Sequence, residues 1–414
     1  MKKNKTNKLK IFNDPIYGFI NISDESIFDI IEHRYFQRLR RINQLGLTYL
    51  VYPGAMHTRF QHSMGAMHLM KSALQSLLEK GIQISPEENI AAQQAILLHD
   101  IGHGPFSHTL ENNLLKQTSH EMLGKLFMER MNKEMNGALE MAISIIENKY
   151  PKKFLHQLVS SQLDMDRLDY LKRDSYFTGV SEGVIGTNRL INMLTVCEDR
   201  IVVEAKGIYS VEKFLVARRI MYWQVYLHKT VLSAEQQLIE IIKRARLLAQ
   251  TDKNISLSKN LNLFLHHDYT YSDFSKHDLL EKFASIDDHD IIFALKQWQN
   301  HKDRTLSLMC ENLLNRHLPK VIIQKESFKE RLIQKLKEKT AILYQIPIKE
   351  ADHFVYTGIA SNRAYNQKTD KIFILEKDGK LTDIATASDN FNIQSLSAPV
   401  NKYFLCYPKE IDLQ

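Results

Sequence analysis

The stretch Ala95-Ile-Leu-Leu-His-Asp-Ile-Gly-His-Gly-Pro-Phe-Ser-His108 decides how this chain is read. An apolar helical run ends in His99-Asp100, and Gly102, Gly104 and Pro105 forbid the helix from continuing. Three histidines and a carboxylate therefore crowd the exit of a buried helix. Imidazole nitrogen and carboxylate oxygen together suit a borderline divalent ion such as Fe, Mn, Co, Ni or Zn better than Ca. The bland alternative is a helix end with polar capping residues, which a lone His-Asp pair would favour. His103 and His108 in the same turn weigh against it, since a simple cap has no need of four ligand-type side chains.

Two distant stretches extend this set. Upstream, Pro53-Gly-Ala-Met-His-Thr-Arg-Phe-Gln-His-Ser63 carries His57, Arg59 and His62. Downstream, Gln162-Leu-Asp-Met-Asp-Arg-Leu-Asp-Tyr-Leu-Lys-Arg-Asp174 places Asp166, Asp169, Tyr170 and Arg173 at i, i+3, i+4 and i+7 of a helix, on one face. Leu168 and Leu171 point elsewhere and pack. Ser85-Pro86-Glu87-Glu88 opens the helix that delivers His99-Asp100: Ser caps, Pro takes the first turn and Glu88 completes a capping box.

Elsewhere, Lys10 to Ile22 predicts a small hairpin around Asp14-Pro15, and a helix is expected from Ser26 to Gln44. Arg38, Arg40 and Arg41 on that helix read as surface charge. Tyr49 to Pro53 reads as a short β-like run, and Met64, Met67 and Leu74 as apolar positions of the helix after Arg59. The segment from Ser210 to Gln250 is strongly helical, with Arg218, Tyr222 and Tyr226 at i, i+4 and i+8 in one polar-aromatic stripe. Spacing alone leaves open whether those rings face a ligand or a core. Helical patterning returns over 275–314 and 327–339. Phe354 to Ile359, Lys371 to Glu376 and Tyr403 to Tyr407 read as strands, with Asp378-Gly379 as a hairpin turn.

The 414 residues carry 55 Lys and Arg against 48 Asp and Glu, a net charge of +7. That balance is compatible with a polyanionic substrate or nucleic acid, and equally with a solvated surface and a basic tail. Cys197, Cys310 and Cys406 are isolated, so neither a disulfide framework nor a zinc ribbon is indicated. The basic start lacks a following apolar region and no run reaches membrane-spanning length, so a soluble cytoplasmic protein without a membrane partner is expected.

A His, then His-Asp, then Asp is the signature of the HD-domain metal-dependent phosphohydrolases, which this sequence resembles. Asp14-Pro-Ile-Tyr-Gly18, Phe36-Gln-Arg-Leu-Arg40, Gln44-Leu-Gly46, the His57 to Ser63 stretch, His99 to His108, His120-Glu121 and Asp166-Arg-Leu-Asp-Tyr170 follow the order seen in deoxynucleoside triphosphate triphosphohydrolases. Within these, the sequence is similar to the branch with the vertebrate dNTPase that carries a sterile-alpha-motif domain, a domain expected to be absent here. The match covers residues 11 to 230.

The resemblance implies a mainly α fold: an HD-domain helical core with an α+β C-terminal region containing a small antiparallel sheet. The expected divisions are a disordered basic tail (1–10), an HD catalytic core (11–250), a helical C-terminal region (251–345) and a small β-containing subdomain (346–414). It also implies His62, His99, Asp100 and Asp166 as ligands of one divalent transition metal, with positions open for water and a phosphate oxygen; an additional Mg can accompany the triphosphate. His120 matches the family's catalytic histidine. Glu111 replaces the usual Asp as its orienting carboxylate.

Arg59, His103, His108 and Arg167 match positions around the triphosphate, where their charge would stabilise the anion and its transition state, Arg59 also counting among the catalytic groups. Arg167 stands where the vertebrate relative has Lys. Gln44, Leu45, Tyr170, Asp174 and Tyr226 match groups around the nucleoside, Arg218 matches another phosphate contact, and Tyr222 stands where that relative has His. The implied activity is hydrolysis of dNTPs, with preference among bases open, to deoxynucleoside and inorganic triphosphate. The alternatives are an HD phosphohydrolase acting on a monophosphate, cyclic or signalling nucleotide, and a nucleotide or nucleic-acid binding protein with little turnover. Relatives assemble as dimers or tetramers, so a homo-oligomer is expected, with Leu232, Leu238 and Ile242 as candidate interface positions.

Overall fold

The computed structural model describes residues 10–253, 255–274, 278–362, 364–367, 370–389 and 398–413, without the side chains of His108 and Asn112. The expected basic tail lies outside these residues except for Lys10, which begins a strand. The molecule is mainly α-helical, with small sheets that are mostly antiparallel.

At the centre, helix Arg59–Glu79 packs between Pro86–Leu98 and Met165–Thr178. Met64, Met67 and Leu74 from the first, Leu97 and Leu98 from the second, and Leu168 and Leu171 from the third are all buried in one core. Ser85 and Glu88 form the capping box read from the sequence. The helix ends at Leu98, so His99 and Asp100 occupy its exit. Strands Lys10–Asp14 and Gly18–Ile22 form the expected hairpin.

The helix expected over Ser26–Gln44 is broken. Glu25–Glu32 stops at His33, whose extended backbone and side-chain acceptor start a second short helix, Arg34–Gln37, before a 3-10 turn, Arg38–Arg41. The extended residues that follow pair backward: Arg59 N donates to Ile42 O and Gln44 N to His57 O, each at 2.9 Å. Tyr49 to Pro53 is not a strand either; Gly46–Leu50 is a 3-10 turn packed on helix Lys229–Ala249.

The Ser210–Gln250 segment is two α-helices, Ile208–Met221 and Lys229–Ala249, joined through a π-helical turn at Tyr222–Tyr226. Leu232, Leu238 and Ile242, proposed for a subunit interface, are buried in cores of the same chain. Their side chains are therefore not surface available to a second copy.

Strands Lys320–Gln324, Val400–Tyr407 and Tyr356–Asn362 form one antiparallel sheet. Phe373–Leu375 and Leu381–Asp383 form a hairpin about Gly379, as the Asp378-Gly379 signal predicts. That hairpin pairs in parallel with Arg200–Glu204, itself paired with Leu194–Cys197. Strands from 346–414 are thus shared with the segment that follows the central helices.

Candidate active site

Helix Arg59–Glu79 starts at a Thr58 capping box with Gln61 and presents His62 one turn in. Helix Met165–Thr178 starts at Asp164, which caps Arg167 N at 2.7 Å, and presents Asp166 in its first turn. With His99 at the exit of Pro86–Leu98, three helix ends converge. His62, His99 and Asp166 each offer one ligand atom, all within 4.8 Å of one another. The two imidazole Nε2 atoms lie 3.4 Å apart, and Asp166 Oδ1 is 3.1 Å from that of His62 and 3.5 Å from that of His99.

The opposite ring nitrogens are already committed. His62 Nδ1 donates to Asp169 Oδ2 at 2.8 Å, and His99 Nδ1 to Ile96 O at 2.6 Å. In the neutral rings both Nε2 lone pairs then face each other and a carboxylate, an arrangement that a shared cation satisfies. The donor set fits a divalent metal. Burial opposes a charge on His62, yet Asp166 and Asp169 outweigh it and push its pKa up to about 10, so in the metal-free protein a proton can occupy the position a metal would take.

Asp100, expected as the fourth ligand, stands beside this trio. Its Oδ1 is 3.3 Å from His99 Nε2 and 3.4 Å from His103 Nε2, while Oδ2 is held by Arg59 Nη1 and lies 3.8 Å from His62 Nε2. Arg59 is also buried and donates Nε to Ser107 Oγ at 2.7 Å. Phe106 and Ser107 adopt positive φ of 47° and 32° at that point, non-glycine residues in a sparsely populated conformation.

His103 stacks on His120, with ring centroids 3.9 Å apart and an interplanar angle of 14°. Burial, with the Arg59 charge added, holds the His103 pKa well below the ordinary histidine value. A second cation beside Arg59 is disfavoured there as long as neither solvent nor a bound anion offsets its charge. Glu111 accepts from both His120 Nδ1 at 2.9 Å and His120 N at 2.7 Å, fixing the ring at the start of helix His120–Glu134. Gly102 permits this approach, since a Cβ there would stand 1.9 Å from His120 O. His108 lies in helix Ser107–Leu114, but its side chain falls outside the described residues.

Beyond the trio, Asp174 is held from two sides: His57 Nε2 lies 2.7 Å from Oδ1 and Tyr226 Oη donates to Oδ2 at 2.6 Å. Tyr170 and Tyr222 both meet the Tyr226 ring edge-on, at 6.2 and 5.1 Å. Arg167 pairs with Asp164, and Arg218 lies over Tyr222 at 6.0 Å while donating to Ala364 O at 3.2 Å. Gln44 Oε1, His57 Nδ1, Arg167 Nε and Arg218 Nε are buried without hydrogen-bond partners. Leu45 precedes the Gly46–Leu50 turn and packs against the main core.

Several contributing residues carried no assigned role in the sequence. Arg38, read as surface charge, is 1% exposed and donates to Ile101 O at 3.0 Å and His103 O at 2.7 Å between the rings of Phe127 and Phe283. Its apolar neighbours Phe36 and Leu39 were the available signal. Asp169 and Arg173 share the Asp166 helix face and stand behind His62. Asp288 reaches from the C-terminal region to accept from Asn43 N and Phe106 N, both at 2.8 Å, and no local pattern marked it.

Similarity to known proteins follows this geometry. The HD domain matches residues 59–174, and an HD associated region matches residues 185–257. A crystal structure of a phosphohydrolase from Bacteroides thetaiotaomicron is 51% identical, covers 97% of this chain and 100% of its own, and superposes with a TM-score of 0.93. The chain belongs to the HD-domain phosphohydrolase family. Protein YwfO of Bacillus subtilis is 34% identical over 322 residues, 76% of this HD-domain chain and 72% of its own. The deoxynucleoside triphosphate triphosphohydrolase SAMHD1 homolog of Dictyostelium discoideum is 32% identical over 255 residues, 57% of this chain and 49% of its own. The chain thus spans about half the length of that relative. Among the described residues, no helix is long and apolar enough to cross a membrane.

Proposed function

We propose that this HD-domain protein is a metal-dependent dNTP triphosphohydrolase, releasing a deoxynucleoside and inorganic triphosphate. The observation that carries the reading is the arrangement one helical turn from Asp166: Tyr170 edge-on to Tyr226, with Asp174 held between Tyr226 and His57. A Tyr170 ring beneath the sugar leaves no room for a 2′-hydroxyl. Asp174 keeps lone pairs with which to accept from a 3′-hydroxyl. The buried, unpartnered atoms of Gln44, Arg167 and Arg218 supply further polar groups on residues assigned to the nucleotide.

His62, His99 and Asp166 hold the metal in this reading, with Asp100 alongside. A divalent ion bound there supplies Lewis-acid polarisation of the phosphoryl group and an acidified water. Arg59, fixed by Asp100 and Ser107, faces the phosphates. His120, oriented by Glu111, handles the proton of the attacking water or the leaving oxygen. The Dictyostelium relative is named for the same activity.

Steady-state rates on dGTP and GTP test the sugar assignment. Burying an unpaired hydroxyl costs about 1–3 kcal/mol, a rate ratio of roughly tenfold to a hundredfold, and a steric clash adds to it. The wild type is expected to prefer dGTP by at least that ratio. Tyr170→Ala is expected to lower the dGTP rate and narrow the gap. Equal wild-type rates on the two substrates would overturn the proposal in favour of a general HD nucleotidase.

A further inference from the structure

Behind His62 runs a chain of buried charges. His62, itself 0% exposed, donates Nδ1 to Asp169 Oδ2 at 2.8 Å. Arg173 grips Asp169 with two bonds, Nε to Oδ2 at 2.9 Å and Nη2 to Oδ1 at 3.0 Å. The remaining Arg173 nitrogen, Nη1, donates to Asp14 Oδ2 at 2.8 Å. Asp14 Oδ1 accepts from Ile16 N and Tyr17 N, at 2.9 and 3.1 Å, and so forms the turn of the N-terminal hairpin. Asp169 and Arg173 are 0% exposed and Asp14 is 8% exposed. Gly65 leaves room for the pair, since a Cβ there would lie 2.1 Å from Asp169 Oδ1 and 2.2 Å from Arg173 Nη2.

A buried ion chain of this kind gains little stability over apolar packing, because desolvating each charge offsets most of the attraction. Its evident consequence is orientational. With Nδ1 fixed on Asp169, the His62 ring cannot flip, and Nε2 is left turned toward His99 and Asp166. We infer that Asp169 is the positioning residue of the His62 ligand, and that Arg173 and Asp14 make the N-terminal hairpin its external brace. This inference rests on reading the His62–His99–Asp166 cluster as a metal site and is independent of which nucleotide is hydrolysed.

The test is metal retention by the full chain. Wild type, Asp169→Asn and Asp14→Asn are loaded separately with Mn²⁺ and Zn²⁺, exposed to EDTA, and assayed for residual metal over time, with thermal melts of the metal-free proteins alongside. Loss of a partner behind a metal-bound histidine typically weakens binding about 10- to 100-fold. Asp169→Asn is expected to lose metal faster by about that factor, and Asp14→Asn to shift the same way by less. A merely structural role would lower the melting temperature and leave metal loss from folded protein at the wild-type rate, which would overturn the inference. Should Asp169→Asn not fold, Asp14→Asn decides: faster loss supports the brace, and wild-type retention overturns it. Failure of dNTP turnover in metal-loaded wild type would strike the proposed function alone and leave this result standing.

Discussion

His120 and His103 lie face to face at 3.9 Å, but only His120 is gripped by a carboxylate through both its ring and its backbone. In the proposed mechanism proton handling falls to His120, and His103 lines the site beside it. His120→Ala is expected to reduce turnover at least 100-fold, the scale of general acid–base catalysis. Metal content and nucleotide affinity are expected to stay within a few-fold of wild type; elemental analysis and equilibrium binding check this. Asp169 carries a pH signature. Burial alone raises its carboxyl, but Arg173 and His62 outweigh burial and hold it at about 2, against an ordinary 3.8. A depressed carboxylate pKa stabilises the fold above the unfolded pKa and loses that contribution as pH falls through the folded value. In metal-free protein, the stability gap between wild type and Asp169→Asn is thus expected to narrow by about 2 kcal/mol from pH 5 to pH 2. Denaturant titrations at each pH measure it, and a constant gap would contradict the assignment. That His62, His99 and Asp166 come together was legible through the order of motifs shared with the HD-domain phosphohydrolases, not from any one stretch alone. Arg38 was legible only in part: its apolar neighbours Phe36 and Leu39 point to burial, but the carbonyls of Ile101 and His103 that hold the cation lie far away in sequence.

At the scale of elements, the central crossing of Arg59–Glu79 with Met165–Thr178 is set by Gly65. Gly65→Ala forces a methyl against the Asp169–Arg173 pair. Overpacking of this kind is expected to cost about 1–3 kcal/mol in urea denaturation, and an unchanged midpoint would contradict the tight crossing. The Pro86 capping box and the N-terminal hairpin were readable because their signals are local: a cap, a proline, an Asp-Pro turn. The Ser26–Gln44 segment misled because its apolar spacing continues through the points where its backbone breaks. His33 recaps the chain, and Asn43 is drawn into a bridge with Thr58. The stop at Tyr222–Tyr226 was likewise hidden, since a π-helical turn needs neither Pro nor Gly.

Over the whole molecule, the C-terminal region serves the site rather than standing apart from it. Asp288 pins Asn43, beside Gln44, and Phe106, beside Ser107, while Ala364 accepts from Arg218. Asp288→Ala leaves the buried Phe106 N–H and the half-buried Asn43 N–H without this acceptor, a cost of about 1–3 kcal/mol for the buried one and less for the other. A lower melting temperature and a raised KM for the nucleotide are expected, and wild-type values of both would contradict the role. None of these contacts was visible from residues 251–414 alone, because each partner lies far away in sequence. The central claim is most directly tested by incubating metal-loaded protein with each dNTP and separating the products. Deoxynucleoside with inorganic triphosphate is the result expected; release of pyrophosphate, or hydrolysis confined to monophosphate or cyclic nucleotides, would contradict it.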